Sequence, residues 1–108
     1  MFDTITGSIV HKSPTRLVVR TGGIGYEIEI PVSTYEKLPR EGEVEILTHL
    51  YVREDNMKLF GFSTIGERAL FRLLLSISGV GPSLALTILS GSTVSNFVHA
   101  VKTMTWDF

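Results

Sequence analysis

The chain has 108 residues, 44% of them hydrophobic and none a cysteine, so it can build one small core or two very small ones but no disulfide framework or thiolate metal site. Ten Lys and Arg stand against eleven Asp and Glu, a net charge of −1, which argues against nucleic-acid binding through a bulk positive field. Any DNA contact must come from a local device, such as backbone amides or a basic patch. The apolar runs are too short to span a membrane, and Met1-Phe2-Asp3-Thr4 lacks a basic signal region, so a cytoplasmic protein without membrane contact is expected.

In chain order, Phe2 to Val10 reads as a first strand, with Gly7 marking a bulge or bend. Leu17-Val18-Val19 is the second, and Thr21-Gly22-Gly23-Ile24-Gly25 reverses the chain, since glycine adopts the positive φ of a tight turn. Tyr26-Glu27-Ile28-Glu29-Ile30 alternates apolar and acidic residues, the period of a half-buried strand. A short helical piece fits Ser33 to Leu38. Val44 to Val52 and Met57 to Phe62 complete five strands around a polar tip of Glu54, Asp55 and Asn56. Five short strands with a bulged first one suit a small closed barrel such as the OB-fold, with an SH3-like barrel as the alternative.

From residue 63 the period changes. Leu70, Leu73, Leu74 and Ile77 form one helical stripe, capped at its start by Ser63 or Thr64 with Glu67 as capping-box partner. Ser78-Gly79-Val80-Gly81 interrupts it. Pro82 opens a second helix carrying Leu84, Ala85, Ile88 and Leu89, which Gly91 stops. Val94, Phe97, Val98 and Val101 suggest a third. The expected class is therefore α+β: a barrel over residues 1–62 and a small helical domain over 63–108.

The helix, Gly-x-Gly, helix order has the form of a helix-hairpin-helix. Two glycines let the backbone turn sharply and let a phosphate approach without a Cβ in the way. The following helix N-terminus carries unpaired amides and partial positive charge, a device that reads phosphate and needs no lysine. A plain tight turn between packed helices is the structural alternative, as a solvated hairpin is for Glu54-Asp55-Asn56. Arg68 and Arg72 lie one turn apart, on a solvated face or one turned to DNA or another subunit. His11, His49 and His99 lack metal-ligand spacing, Trp106 reads as a packing residue, and no phosphate-binding Walker loop or nucleophile–base pair occurs, so neither a cofactor nor an intrinsic enzyme is expected.

The order of a barrel, Val52-Arg53-Glu54-Asp55, then Gly79-Val80-Gly81-Pro82 and Leu84-Ala85-Leu86 resembles the RuvA family. So do Gly22-Gly23-Ile24-Gly25-Tyr26-Glu27, Leu59-Phe60-Gly61-Phe62 and Glu67-Arg68-Ala69-Leu70-Phe71, and the likeness covers residues 1 to 103. It implies an OB-fold followed by helix-hairpin-helix DNA binding, and a homotetramer that grips four-way (Holliday) junction DNA. It also implies a separate RuvB motor that hydrolyses ATP, and the RuvC resolvase as a further partner. By the same resemblance Glu54 and Asp55 match an acidic pin with Arg53 beside it. Gly79, Val80, Gly81, Ser83 and Leu84 match a phosphate-binding hairpin. Ser83 departs from the family's frequent lysine, which should lower affinity and salt dependence. The family pattern continues into a second hairpin and a RuvB-binding domain, whereas this chain stops at Phe108, so a truncated form is expected. A generic single-strand-binding OB module would want exposed aromatics and a basic groove. A protein-interaction module with a structural hairpin is the third alternative.

Overall fold

The computed structural model describes residues 3–91. Five strands, β1 (Thr4–Ser13), β2 (Arg16–Thr21), β3 (Ile24–Glu29), β4 (Glu43–Arg53) and β5 (Asn56–Phe62), close into a barrel in the order β1-β2-β3-β5-β4. Helix α1 (Val32–Lys37) links β3 to β4, and α2 (Ile65–Leu75) and α3 (Pro82–Gly91) follow the barrel. Neighbours pair antiparallel except β3 and β5, which meet in parallel at Glu29 and Phe60. This is the closed five-stranded arrangement expected of an OB-type barrel.

The barrel closes because inward positions are apolar and one of them has no side chain. Ile5, Leu17, Val19, Ile28, Ile30 and Ile46 fill the interior. At Gly61 a Cβ would lie 2.6 Å from Ile28 Cγ2 and 2.7 Å from Ile46 Cγ2, so glycine is what lets β5 approach them. The flanking Phe60 and Phe62 point outward by the strand's two-residue period. There they form a second core with Leu70, Phe71, Leu74, Ala85 and Leu89 of the helices. The helices thus pack on the outside of β5.

The two-residue turn Gly22-Gly23, with φ of 57° and 86°, joins β2 to β3 as the sequence suggests. Other details differ from expectation. The register shift in β1 falls between Ile9 and His11, not at Gly7. Gly7 is needed for a close approach instead, since a Cβ there would sit 2.3 Å from the Arg20 carbonyl oxygen. Asn56 is the first residue of β5, paired with Arg53, so the tip is Glu54-Asp55 alone. The buried face of α2 is Glu67, Leu70, Phe71 and Leu74, while Leu73 and Ile77 are exposed. On α3, Ala85 and Leu89 are buried and Leu84 is exposed. The expected third helix at Val94 to Val101, together with His99 and Trp106, lies outside the described residues.

Candidate nucleic-acid interface

The turn between α2 and α3 is assembled by short backbone bonds. The amide of Ser76 donates to the Leu73 carbonyl, that of Ile77 to Leu74 and that of Val80 to Ile77, each at 3.1 Å. Gly79 adopts φ of 86°, a left-handed conformation that a Cβ disfavours. Val80 is half-buried and packs against the helical core, and its amide is taken by the Ile77 carbonyl, so it anchors the hairpin. The Ala85 amide donates to the Gly81 carbonyl at 3.0 Å and starts α3, with Pro82 at the first helical position. The amides of Ser83 and Leu84 fall in that first turn, and their i−4 residues, Gly79 and Val80, lie before the helix, so they have no intrahelical acceptor. Gly79, Gly81, Ser83 and Leu84 are all exposed, and a Cβ added at Gly81 would meet nothing within 4 Å. The result is a solvent-facing strip of backbone at the positive end of a helix dipole. Neither Lys nor Arg occurs between Arg72 and Lys102.

The β4–β5 hairpin carries the second group. Arg53 pairs with Asn56, leaving Glu54 and Asp55 exposed as a two-residue tip. Below it Val52 and Met57 pair across the strands yet are 61% and 67% exposed. They continue the inward-facing row of the barrel past the point where the barrel ends, so the acidic tip stands clear of the core. On the other face Arg53 is held: its Nε donates to the Tyr51 hydroxyl and its guanidinium lies 4.9 Å from the Tyr51 ring centroid. Tyr51 in turn meets Phe60 edge-on. Lys58, opposite Tyr51, forms a long 3.8 Å ion pair with Glu29.

Two charged residues that read from sequence as a cap and a surface cation prove to be structural ties. Glu67 is almost wholly buried, and its carboxylate accepts hydrogen bonds from the hydroxyls of Ser33 at 2.6 Å, Thr34 at 3.3 Å, Thr64 at 3.2 Å and Ser63. Lys37 Nζ lies 3.5 Å away. Burial pushes this carboxyl up, but the Ser33 and Ser63 hydroxyls, the Lys37 charge and the Thr64 hydroxyl outweigh it and hold it below its ordinary value. The Thr64 hydroxyl also accepts from the Glu67 amide, the expected N-cap bond. Glu67 therefore binds α1 of the barrel to α2, the helix that leads into the glycine turn. Its local half was visible as Ser63-Thr64 followed by Glu67; Ser33, Thr34 and Lys37 lie some thirty residues earlier, and no sequence pattern announces them.

Arg68 is largely withdrawn from solvent and tied within the chain. Its side chain is 12% exposed and donates to the Asp3 carbonyl at 2.9 Å, the Asp3 carboxylate at 2.8 Å and the Thr48 carbonyl at 3.4 Å. Arg72 stays exposed and donates to His49 Nδ1 at 3.2 Å. Burial, then the charges of Arg72 and Arg68, push the His49 imidazole down. A cleft between the barrel rim and α3 is lined by Arg16, Glu27 and Glu29 on one side and Ser83, Thr87 and Ser90 on the other. Arg16 is paired with Glu27 at 2.8 Å. Among the described residues no cluster of His, Cys, Asp or Glu could hold a metal ion, and no helix is long and apolar enough to cross a membrane.

An OB-type barrel with an acid-tipped hairpin, carrying a helix–glycine hairpin–helix on its outer wall, defines the class of protein. The RuvA N terminal domain model matches residues 1–61. The chain is 52% identical over 103 residues to the Holliday junction branch migration complex subunit RuvA of Leptothrix cholodnii, covering 94% of this chain and 54% of that protein. The subunit of the same name from Methylibium petroleiphilum is 50% identical over 102 residues, covering 94% and 53%. That of Vibrio cholerae is 45% identical over 103 residues, covering 94% and 50%. The chain belongs to the RuvA N-terminal domain family. It spans about half the length of the curated relatives it matches.

Proposed function

We propose that this chain binds four-way DNA junctions, as a non-catalytic subunit of a branch migration assembly. The observation that carries the reading is the solvent-open strip from Gly79 to Leu84. It offers helix N-terminal amides and a Cβ-free surface to a phosphate, on a chain whose net charge argues against attraction by bulk field. Such contacts read backbone geometry and not base sequence, as recognition of a junction by shape requires. In this reading residues 1–62 act as the barrel domain and 63–108 as the DNA-gripping domain. Glu54 and Asp55 form the pin: four copies around a junction would bring these carboxylates to its centre, where they repel intact duplex and favour separated strands. Arg53, Gly79, Gly81, Ser83 and Leu84 contact DNA, and Val80 holds in place the glycine turn that carries the last four. ATP hydrolysis belongs to a separate motor chain of the RuvB type.

The test is a gel-shift titration of one four-way junction, the matching linear duplex and the single strand at one fixed salt concentration. Junction binding tighter than duplex binding by at least an order of magnitude is expected. Equal affinity for all three DNAs would identify a generic single-strand or backbone binder, and no binding to any of them a protein-interaction module.

A further inference from the structure

The β4–β5 hairpin has two unlike faces. Because strand side chains alternate, His49, Tyr51 and Arg53 of β4 share the outer face with Lys58 of β5, while Val52 and Met57 occupy the other. Helix α2 extends the outer row, since Arg72 reaches His49 and Phe71 packs edge-on against the same imidazole. Three exposed cations, Arg53, Lys58 and Arg72, therefore line one surface interleaved with Tyr51 and His49, on a chain that is negative as a whole. The carboxylates that bear on this row are few. Glu29 faces Lys58 at 3.8 Å, Asp3 is engaged by Arg68, and Glu54 and Asp55 stand at the tip. Glu43 and Glu45 lie on the outer side of β4 but at its far end, where β4 pairs with β1, roughly 25 Å or more of strand from Arg53.

We propose that this outer face is a track for one unpaired DNA strand. Arg53, Lys58 and Arg72 take its phosphates, and the Arg53 guanidinium, backed by Tyr51, provides the plane on which a base stacks. The inference rests on the junction-binding reading, to which it adds where a separated strand goes once the acidic tip has parted the duplex. Residues two apart on a strand are about 6.6 Å apart, a step that one extended nucleotide spans. A guanidinium lying along an aromatic ring is already ordered, so stacking a base on its open side costs little further side-chain entropy. The arrangement also fits the position of the tip: carboxylates repel both strands at the crossover, and cations a few residues below receive one of them. On the opposite face Val52 and Met57 offer no charge to a phosphate.

The experiment compares two junctions, one fully paired and one with unpaired bases at the crossover, together with plain duplex. Wild type is set against Lys58→Gln, Arg72→Gln and Tyr51→Phe, with thermal melts recorded for each. These side chains are exposed or lose only a hydroxyl, so the variants fold. Each is expected to lose about five-fold in affinity for the open-centre junction, and to change affinity for duplex by less than about two-fold. For the two charge removals, the slope of log affinity against log salt falls by roughly 0.7 for each single-strand phosphate lost. If wild type prefers junctions but the variants bind the open-centre junction as wild type does, the track is overturned and junction binding stands. If wild type does not prefer junctions at all, both readings fall, and the wild-type titration alone reports it.

Discussion

Two glycines sit two residues apart in the hairpin, and the structure gives them different tasks, so their alanine variants separate folding from binding. At Gly79 φ is 86° and no atom lies within 4 Å of the position a methyl would take, so Gly79→Ala has space but is forced into a left-handed conformation. That conformation costs an L-residue about 1–2 kcal/mol. In a chain of this size the loss lowers the melting temperature by roughly 4–8 °C per kcal/mol. Gly81 also has open space around it, but its φ lies outside the left-handed range. Gly81→Ala should therefore leave stability unchanged, or raise it by up to about 1 kcal/mol by restricting the unfolded chain. If a phosphate sits against the Gly81 backbone, the same methyl stands in its place, and the lost amide–phosphate contact costs about 1–3 kcal/mol of binding, from several-fold to a hundred-fold. The assay is a thermal melt by circular dichroism beside fluorescence anisotropy on a labelled four-way junction at fixed salt. A Gly81→Ala protein that melts like wild type and binds the junction with wild-type affinity would refute the assignment of this strip to phosphate. A Gly79→Ala protein that melts like wild type would refute the strain argument.

Neutralising the tip with Glu54→Gln and Asp55→Asn should change stability little and strengthen DNA binding, most of all to duplex; the ratio of junction to duplex dissociation constants must move toward one, or the pin assignment fails. Ser83→Lys places a cation on the first turn of α3 and should tighten binding, steepening the salt dependence by roughly 0.9 for each phosphate newly neutralised; an unchanged slope in a salt titration removes Ser83 from the DNA surface. Glu67→Ala leaves the Ser33, Thr34, Ser63 and Thr64 hydroxyls and Lys37 without their shared acceptor and should cost about 3–5 kcal/mol in a denaturant titration. Because the Glu67 carboxyl is held below its ordinary value, its stabilisation is complete above the unfolded-state pKa and is lost as pH falls through the folded value. Glu67→Gln should accordingly flatten the acid limb of the stability–pH curve, and a wild-type acid limb in that variant would contradict the linkage.

The order of elements follows from the chain alone. Alternation at Tyr26 to Ile30, glycine pairs at turns, and Pro82 after Gly-Val-Gly are local signals, and the forces behind them act within a few residues. The barrel and the glycine hairpin were legible for that reason, and so was a cap at Ser63 or Thr64, of which the structure uses Thr64. Which face each element buries depends instead on what it meets after folding. Helix α2 has helical spacing in either reading, but its buried row starts at Glu67 and not at Leu70. A hydrophobicity count rejects a carboxylate at that place; only the hydroxyls of Ser33, Thr34, Ser63 and Thr64, gathered by folding, make its burial favourable. Arg68 follows the same rule: it reads as a surface cation until β1 and β4 place the Asp3 and Thr48 carbonyls against it. The glycines of the barrel show it from the other side. Gly7 reads from sequence as a bulge or bend and Gly61 carries no local signal, yet each is required because a strand or side chain distant in sequence passes where a Cβ would be. Partners that meet only on folding leave no periodic trace in the chain, so buried charge and close backbone approach are settled by packing.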